Sequence, residues 1–285
     1  MRAIGRVLIL VVLGLLIRIS AYSQNISNEG TEFWSVFPTH DNHVIANDLQ
    51  LANITIYITS KSGSYVTITC GSYVESANIP PNQAVPFTIT RAQAYIENSQ
   101  SNTVLENKAI HIKVREGEGK VAVYAHIFAG ARSAASLILP VESLGQKYHS
   151  MNYTQDSEGH NFLVLAAAEP NTKLLIHHGG SPIEVVLEKA GDVYQYMPRG
   201  GADLTGAYVE IDPSSPDNCT KRFAAFSGST STTIGSCNSS RDPLYQQLYP
   251  ISSWGKTYGV VPFVNRRHII RVVAQENDTR VQYNG

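Results

Sequence analysis

The sequence predicts an all-β fold made of tandem antiparallel β-sandwich-like repeats, each about 110 residues long. Three observations carry this prediction. Apolar and polar residues alternate along short segments, clusters of Gly, Pro, Asn and Ser separate those segments, and blocks of sequence recur at a nearly constant offset. Alternation places every second side chain on one face of a strand, and closely spaced turns favour antiparallel pairing.

The first 23 residues have the layout of a secretory signal peptide. A basic start, Arg2 and Arg6, precedes an unbroken run of 11 apolar or Gly residues at 7–17, and small residues at 21 and 23 permit cleavage before Gln24. The alternative is a transmembrane anchor, but a span needs roughly 20 apolar residues, and Arg18 ends the run. We therefore expect an exported mature chain without a membrane span, secreted or held at the cell surface.

Composition excludes two classes of protein. Lys and Arg number 22 against 23 Asp and Glu, a net charge of −1, so the chain has no cationic surplus with which to bind nucleic-acid phosphates. Hydrophobic residues make up 43% of the chain and include 15 Tyr and 8 Phe, enough for a core and too many for a disordered chain. Charged residues make up only 16%, below the roughly 25% of an ordinary soluble domain.

Alternating segments predict strands along the whole body of the chain. The clearest are 54–59, 65–69 and 110–114, where Ile and Val alternate with Thr, Tyr, His or Lys. Similar half-buried strands are predicted at 121–126, 162–168, 174–177, 208–211, 223–227 and 269–274. Two short helices are predicted, one at 91–96 and one at 242–248, where Asp242 caps the helix and Pro243 takes its first position.

Two blocks recur in the same order and define the repeat. Residues 140–148 (PVESLGQKY) align with 250–258 (PISSWGKTY) at an offset of 110 with four identities, and residues 167–174 align with 274–281 at an offset of 107. A fainter copy begins with GTEF at 30–33. This period is too long for a propeller blade and suits a β-sandwich. We predict a signal peptide at 1–23, repeat units at 24–140 and 141–250, and an incomplete unit at 251–285, which we expect to continue in a longer protein.

The chain contains three cysteines. Cys219 and Cys237 flank a turn-rich segment, where a disulfide suits an exported protein, and Cys70 is then left over in a predicted strand. The alternative is three free thiols. Neither a second Cys nor a His lies at ligand spacing from any of them, so the sequence predicts no metal site and no cofactor.

Several blocks in a fixed order resemble the N-terminal domain family of IgGFc-binding protein. The blocks are GTEFW at 30–34, VAVYA at 121–125, LILPV at 137–141, DPLYQQLYP at 242–250, SWGK at 253–256, VA at 273–274 and NDT at 277–279. The resemblance spans 30–285 and is most specific from 121 onward. Such domains also occur at the front of large exported proteins of Bacteroidetes, ahead of further β-sandwich modules. The resemblance carries no residue motif for immunoglobulin binding onto this sequence.

The sequence contains no nucleophile elbow, zinc-binding helix motif, phosphate loop or calcium loop. His177 and His178 are adjacent in a predicted strand and therefore point to opposite faces, and the His- and Asp-containing segment 40–43 is better explained as a solvated loop. Glu169 and Glu276 occupy equivalent repeat positions. Turn capping explains them better than a glycosidase pair, whose carboxylates face each other across one cleft. We therefore expect a protein that is not an enzyme.

Tyrosines in predicted edges and loops form the predicted binding surface. They are Tyr194, Tyr196, Tyr245 and Tyr249. Tyr offers a large contact at a low entropy cost, although ordinary packing is the alternative. We expect an exported, non-catalytic adhesion or recognition module that binds a protein or glycan ligand at the cell surface. The alternatives are a secreted carbohydrate-active hydrolase with an unrecognised site, and a passive surface spacer.

Overall fold

The computed structural model describes residues 27–41, 43–45, 48–153, 159–198, 202–235, 241–262, 264–265 and 268–283. The predicted signal peptide at 1–23 lies outside the described residues. Within the described ranges, no helix combines the length and the hydropathy needed to cross a bilayer.

Strands dominate the described residues, as the sequence predicts. Those in the first half of the chain are β1 (Glu32–Ser35), β2 (His43–Ile45), β3 (Asp48–Gln50), β4 (Asn53–Ser60), β5 (Ser64–Cys70), β6 (Tyr73–Ile79), β7 (Ala84–Thr88), β8 (Val104–Leu105), β9 (Ile110–Val114), β10 (Val121–Ala129) and β11 (Arg132–Ile138). Those in the second half are β12 (Lys147–His149), β13 (Asn161–Ala167), β14 (Thr172–His177), β15 (Ile183–Leu187), β16 (Val193–Tyr196), β17 (Tyr208–Ile211), β18 (Phe223–Thr232) and β19 (Asp242–Gln247).

The strands form four larger antiparallel sheets, which we name A to D. Sheet A has the strand order β1-β9-β5-β6, and sheet B has the order β11-β10-β4-β7. Sheet C has the order β12-β17-β14-β15, and sheet D has the order β19-β18-β13-β16-β8. Strands β2 and β3 form a separate hairpin. The all-β fold class with antiparallel pairing is therefore confirmed.

Two hydrophobic cores hold the sheets together. The first core contains inward residues of sheets A and B, such as Ile68 and Val123, together with one face of sheet D. The second core lies between the other face of sheet D and sheet C, and includes Leu174 and Val209. In sheets A, B and C the apolar positions of alternating segments point into a core, which confirms the half-buried strands predicted there.

Sheet D differs from the prediction because both faces of its central strands, β13 and β18, are buried. Every residue of β13 and of β18 is buried, whereas the sequence predicts half-buried strands at 162–168 and 223–227. Along β13, Phe162 and Val164 belong to the first core, whereas Leu163 and Leu165 belong to the second. A strand covered on both faces requires small or apolar residues at consecutive positions, and these two segments supply them.

Sheet D also contains strands from both predicted repeat units, 24–140 and 141–250. Strand β8 precedes the predicted boundary at residue 140, yet Leu105 pairs with Val193 and Val104 with Tyr194 of β16. Between sheets B and D, the Gln247 side chain accepts a hydrogen bond from the Leu139 N–H at 2.7 Å. Sheets A and B form one sandwich, and sheets C and D form the other. The two sandwiches therefore join through strand pairing and side-chain packing rather than through an exposed linker.

A close contact between a glycine and a proline occurs twice. Gly30 pairs with Val121 in the first half, and a Cβ added to Gly30 would lie 2.3 Å from the Pro140 Cβ. Gly145 pairs with Phe223, and a Cβ added to Gly145 would lie 2.4 Å from the Pro250 Cβ. Each proline is followed at once by a short 3₁₀ turn, Val141–Ser143 or Ile251–Ser253.

A backbone-to-tyrosine hydrogen bond follows both turns. The Gly145 N–H donates to Tyr148 Oη at 2.7 Å, and the Gly255 N–H donates to Tyr258 Oη at 2.8 Å. These bonds join the residues that the aligned blocks 140–148 and 250–258 place at equivalent positions. Tyr148 is fully buried, where its hydroxyl donates to the Phe223 carbonyl at 2.8 Å, whereas Tyr258 is exposed.

The helix predicted at 242–248 is wrong, because this segment is strand β19. Pro243, Tyr245 and Gln247 alternate as buried residues, and the segment pairs along β18. Burial of this alternating face outweighs the local capping signal of Asp242 and Pro243. The other predicted helix is confirmed as the short helix Arg91–Ala94.

The strand predicted at 269–274 is absent from the described residues 268–283. Ile269, Ile270 and Val272 are exposed there. A strand needs a neighbour for its backbone N–H and C=O groups, and no described residue pairs with this segment. Alternation alone therefore predicts the side-chain pattern of a strand without predicting its partner.

His40 is buried in the segment that follows β1, instead of lying in the predicted solvated loop. Its backbone N–H donates to Tyr95 Oη at 2.9 Å, and that hydroxyl donates to the His40 carbonyl at 3.0 Å. The ring Nδ1 contacts the Asp41 carbonyl, and Nε2 has no hydrogen-bond partner among the described residues. Burial lowers the pKa of His40 most, and the nearby Arg132 charge lowers it further against the raising effect of the Asp41 carbonyl.

We expect His40 to make stability depend on pH. In the unfolded chain the His40 ring binds a proton near pH 6.5, whereas in the folded protein it binds one only at lower pH. The contribution of His40 to the free energy of unfolding is therefore fully present above pH 6.5 and is lost as the pH falls below that value. The loss is at most about 1.4 kcal/mol per pH unit for this one group. Urea denaturation at pH 7.5 and 5.5 should show a smaller loss for His40→Gln than for wild type. The exposed His268→Gln is the control and should keep the wild-type loss. An unchanged loss in His40→Gln would contradict the prediction.

Candidate functional site

Two of the four predicted surface tyrosines are buried. Tyr245 is 6% exposed in the first core, and its hydroxyl donates to the Val36 carbonyl at 2.6 Å. Tyr194 is 8% exposed and belongs to the second core. Burial raises the pKa of both phenols. These two side chains pack as the alternative interpretation describes, so they do not contribute to a binding surface.

The other two tyrosines reach the surface in different surroundings. Tyr196 is half-buried, with its hydroxyl 3.0 Å from His178 Nδ1. Tyr249 is 40% exposed, and its carbonyl accepts a hydrogen bond from Trp254 Nε1 at 3.2 Å. The predicted surface is therefore not formed by the four tyrosines together.

Four other rings line up along the outer face of sheet C. Tyr208 pairs with His149 on one side and with His177 on the other. The Tyr208 ring stacks on His177 with centroids 4.1 Å apart and lies 5.4 Å from His149, and Trp254 lies 5.6 Å beyond His149. We call Trp254, His149, Tyr208 and His177 the aromatic row. All four side chains are half-buried and lie on the side of sheet C that faces away from the second core.

Strand alternation explains why these rings face outward. In β17, Val209 and Ile211 enter the second core, so Tyr208 points the other way. In β12 the buried residue is Tyr148, which leaves His149 outside, and in β14 the buried Ile176 leaves His177 outside. The register of the three strands then places the outward rings next to one another.

Charged side chains of both signs surround the aromatic row. Lys147 Nζ lies 4.4 Å from the centroid of the Tyr208 ring and 2.9 Å from Glu210. Glu210 Oε1 also lies 3.2 Å from His177 Nε2, close enough for an ion pair but not aligned for a hydrogen bond. Further along the same face, Lys173 Nζ lies 2.9 Å from Glu184.

Burial lowers the pKa of His149 and so favours the neutral form of its ring. After burial, the largest effect on this pKa is the Gly206 backbone hydrogen bond, which raises it; the Lys147 charge lowers it, and Glu276 raises it least. The His149 Nδ1 has no hydrogen-bond partner in the described part of the chain.

Comparison with known proteins identifies the family. Residues 134–285, more than half of the chain, match the family described as IgGFc binding protein. The chain belongs to the IgGFc-binding family. None of the curated proteins matches it. Among solved structures, the chain is similar to the crystal structure of the group B streptococcus pilus 2b backbone protein, at 11% identity over 72% of this chain and 85% of that one. The TM-score of 0.14 is too low for this likeness to support an argument.

The aromatic row lies entirely inside the region that matches the IgGFc-binding family. His149, His177, Tyr208 and Trp254 all fall between residues 134 and 285, as do the neighbouring Lys147 and Glu210. The sequence gives a reason to single out His177 and Tyr208, but none for His149 or Trp254 as members of a binding surface. A usable signal exists, because Tyr208 and His177 occupy outward positions of two alternating segments that were predicted as strands.

Glu169 and Glu276 sit in matching turns of this IgGFc-binding family member. Thr172 Oγ1 donates to the Glu169 carbonyl at 2.6 Å, and Thr279 Oγ1 donates to the Glu276 carbonyl at 2.7 Å. The Glu169 carboxylate also accepts the Arg222 N–H at 2.7 Å. These contacts fit turn formation. Across the described residues, no group of three or more His, Cys, Asp or Glu side chains is placed to hold a metal ion.

The cysteines have different environments. Cys70 is buried, with Sγ 3.5 Å from the Gln93 carbonyl, and burial raises the pKa of its thiol to about 11. Only the thiolate is nucleophilic, so Cys70 is unreactive at neutral pH. Cys219 is exposed, but Cys237 lies outside the described residues. The Cys219–Cys237 disulfide therefore stays a prediction.

Proposed function

We propose that this member of the IgGFc-binding family is an exported, non-catalytic recognition module that binds a protein partner at the cell surface. The observation that carries the proposal is the aromatic row, which occupies an outer sheet face within residues 134–285. The family's description supports a protein ligand, and the predicted signal peptide supports export.

The chemistry of this face favours a protein over a glycan. Binding energy at protein interfaces concentrates in Trp, Tyr and Arg side chains near the centre, with polar residues at the rim. Here Tyr208 and Trp254 supply the aromatic surface. Lys147, Lys173 and Glu184 supply a rim of both signs, which can align a partner of complementary charge.

The proposal is tested by removing the two largest rings of the row. Trp254→Ala and Tyr208→Ala, alone and together, are compared with wild type for binding to immunoglobulin G, its Fc and Fab fragments, and mucin by surface plasmon resonance. We expect saturable binding to at least one of these probes. Because central aromatic residues contribute about 1–2 kcal/mol or more each, the double variant should weaken binding at least about 10-fold.

Controls separate this outcome from the alternatives. Val74→Ala changes an exposed residue of sheet A and should leave binding unchanged. Release of reducing sugar from glycan substrates, followed in parallel, would contradict the non-catalytic proposal and direct attention to Glu169 and Glu276. Absence of both binding and turnover would favour the passive spacer.

A further inference from the structure

The outer face of sheet B carries no charged side chain. Its four strands turn alternate residues away from the first core, and strand register places them side by side. The outward residues are Ala84, Pro86, Thr88, Asn53, Thr55, Tyr57, Thr59, Ala122, Tyr124, His126, Phe128, Ser133, Ala135 and Leu137. None of them is Asp, Glu, Lys or Arg, so the face offers nothing to pair with an ionic partner.

Lack of charge is specific to this face. The outer face of sheet C carries Lys147, Lys173, Glu184 and Glu210, and that of sheet A carries Glu32 and its cross-strand neighbour Lys113. Sheets expose charged residues because these keep a protein soluble and prevent association. The outer faces of sheets A and C carry charged residues, whereas that of sheet B does not. This difference indicates that the outer face of sheet B is a binding surface.

Aromatic rings occupy the middle of this uncharged face. Tyr57 and Tyr124 are directly paired across β4 and β10, and Tyr124 is 45% exposed. His126 stacks on Phe128 with centroids 5.2 Å apart and lies 6.3 Å from Tyr57. We call Tyr57, Tyr124, His126 and Phe128 the aromatic patch. Hydroxyl groups border it, including those of Thr59, on the same strand as Tyr57, and of Thr88.

The geometry points to a short, uncharged oligosaccharide as the ligand: we propose that the aromatic patch of sheet B is a binding site for neutral sugars. A sugar ring has one face of C–H bonds, which are attracted to the negative face of an aromatic ring, and hydroxyls at its edge that exchange hydrogen bonds with Tyr and Thr hydroxyls. An acidic sugar would lose its hydration here without gaining a counter-charge.

The size of the face argues against a protein partner or a second copy of the chain. Four strands lie about 14 Å across from the first to the last, and the two central strands extend for about 27 Å. The flat area enclosed by the strand axes is roughly 400 Å², whereas each partner in a standard protein complex buries about 800 Å² of accessible surface. The flat area is sufficient for a few stacked sugar rings. This site is separate from the aromatic row, and the proposal does not rest on the function proposed for that row.

The test is titration calorimetry of the full chain with neutral tetrasaccharides of β-1,4-linked and of α-1,4-linked glucose, with the tetrasaccharide of galacturonic acid as the acidic probe. We expect saturable binding of at least one neutral probe and weaker binding of the acidic probe. Tyr57→Ser with Tyr124→Ser should weaken neutral-sugar binding about 10-fold or more. Tyr57→Phe with Tyr124→Phe keeps both rings and should stay within about 3-fold of wild type.

Tyr283→Ser changes an exposed tyrosine outside the four sheets, so it is the matched control and should bind the neutral sugar as wild type does. Thermal unfolding of each variant confirms that it is folded. Binding that is unchanged in the Tyr57→Ser, Tyr124→Ser double variant would overturn the proposal, as would the absence of binding to every neutral probe. A sedimentation shift from dimer to monomer in that variant, without an effect on sugar binding, would instead assign the face to self-association and also overturn it.

Discussion

Gly228→Ala is expected to prevent stable folding. Gly228 lies in β18 between β13 and β19, and a Cβ at this position would lie 1.8 Å from the Leu244 carbonyl oxygen and 2.7 Å from Phe162 Cζ. The first of these atoms belongs to the backbone of the paired strand, so it can move only if β19 separates from β18. Overpacking of this kind costs about 3 kcal/mol or more. Urea denaturation followed by tryptophan fluorescence measures the loss.

Gly259→Ala is the matched control, because nothing lies within 4 Å of a Cβ added there. We expect Gly259→Ala to keep the wild-type denaturation midpoint and yield of soluble protein. A Gly228→Ala protein with the same midpoint would contradict the close approach of β19 to β18.

Phe226→Ala is expected to destabilise both sandwiches together. Phe226 is fully buried in the first core and stacks on Tyr245 with ring centroids 5.9 Å apart, whereas its neighbour Ala225 faces the second core. Truncation of a buried Phe costs about 3–5 kcal/mol. Because sheet D contributes to both cores, we expect one unfolding transition at a lower denaturant concentration rather than the loss of one core alone.

Two tryptophans allow the cores to be followed separately. Trp34 belongs to the first core, and Trp254 lies beside sheet C. In single-tryptophan proteins made with Trp254→Phe or Trp34→Phe, Phe226→Ala should lower the midpoint of both signals equally. The exposed Val186→Ala is the control and should leave both unchanged. Two separated midpoints would contradict a shared central sheet.

The sequence predicts the strands well where one face of the strand is exposed to solvent. Alternation at 65–69 and at 110–114 corresponds to β5 and β9, in which Val66, Ile68 and Ile112 are buried between polar neighbours. It fails for β19, because Asp242 and Pro243 also begin helices, and only the burial of Tyr245 against the first core decides between the two. Local residues cannot supply that information.

The candidate sites were less predictable than the strands, because they depend on strand order. His149 and His177 are 28 positions apart in the sequence and meet on opposite sides of Tyr208 only because β17 lies between β12 and β14. Tyr245 illustrates the opposite error, since its place near predicted edges and loops indicates exposure, but the strand turns its ring inward. The uncharged face of sheet B was visible in part, because the outward positions of the segment 121–126 hold Ala122, Tyr124 and His126 and no Asp, Glu, Lys or Arg.

The pairing of β8 with β16 has a consequence for how the chain acquires its structure in time. Val104 and Leu105 find their partners in Tyr194 and Val193, roughly 90 residues later in the chain. Until those later residues follow, the first-core face of sheet D does not yet exist, and apolar side chains that will pack on it remain open to chaperones and to other unfolded chains.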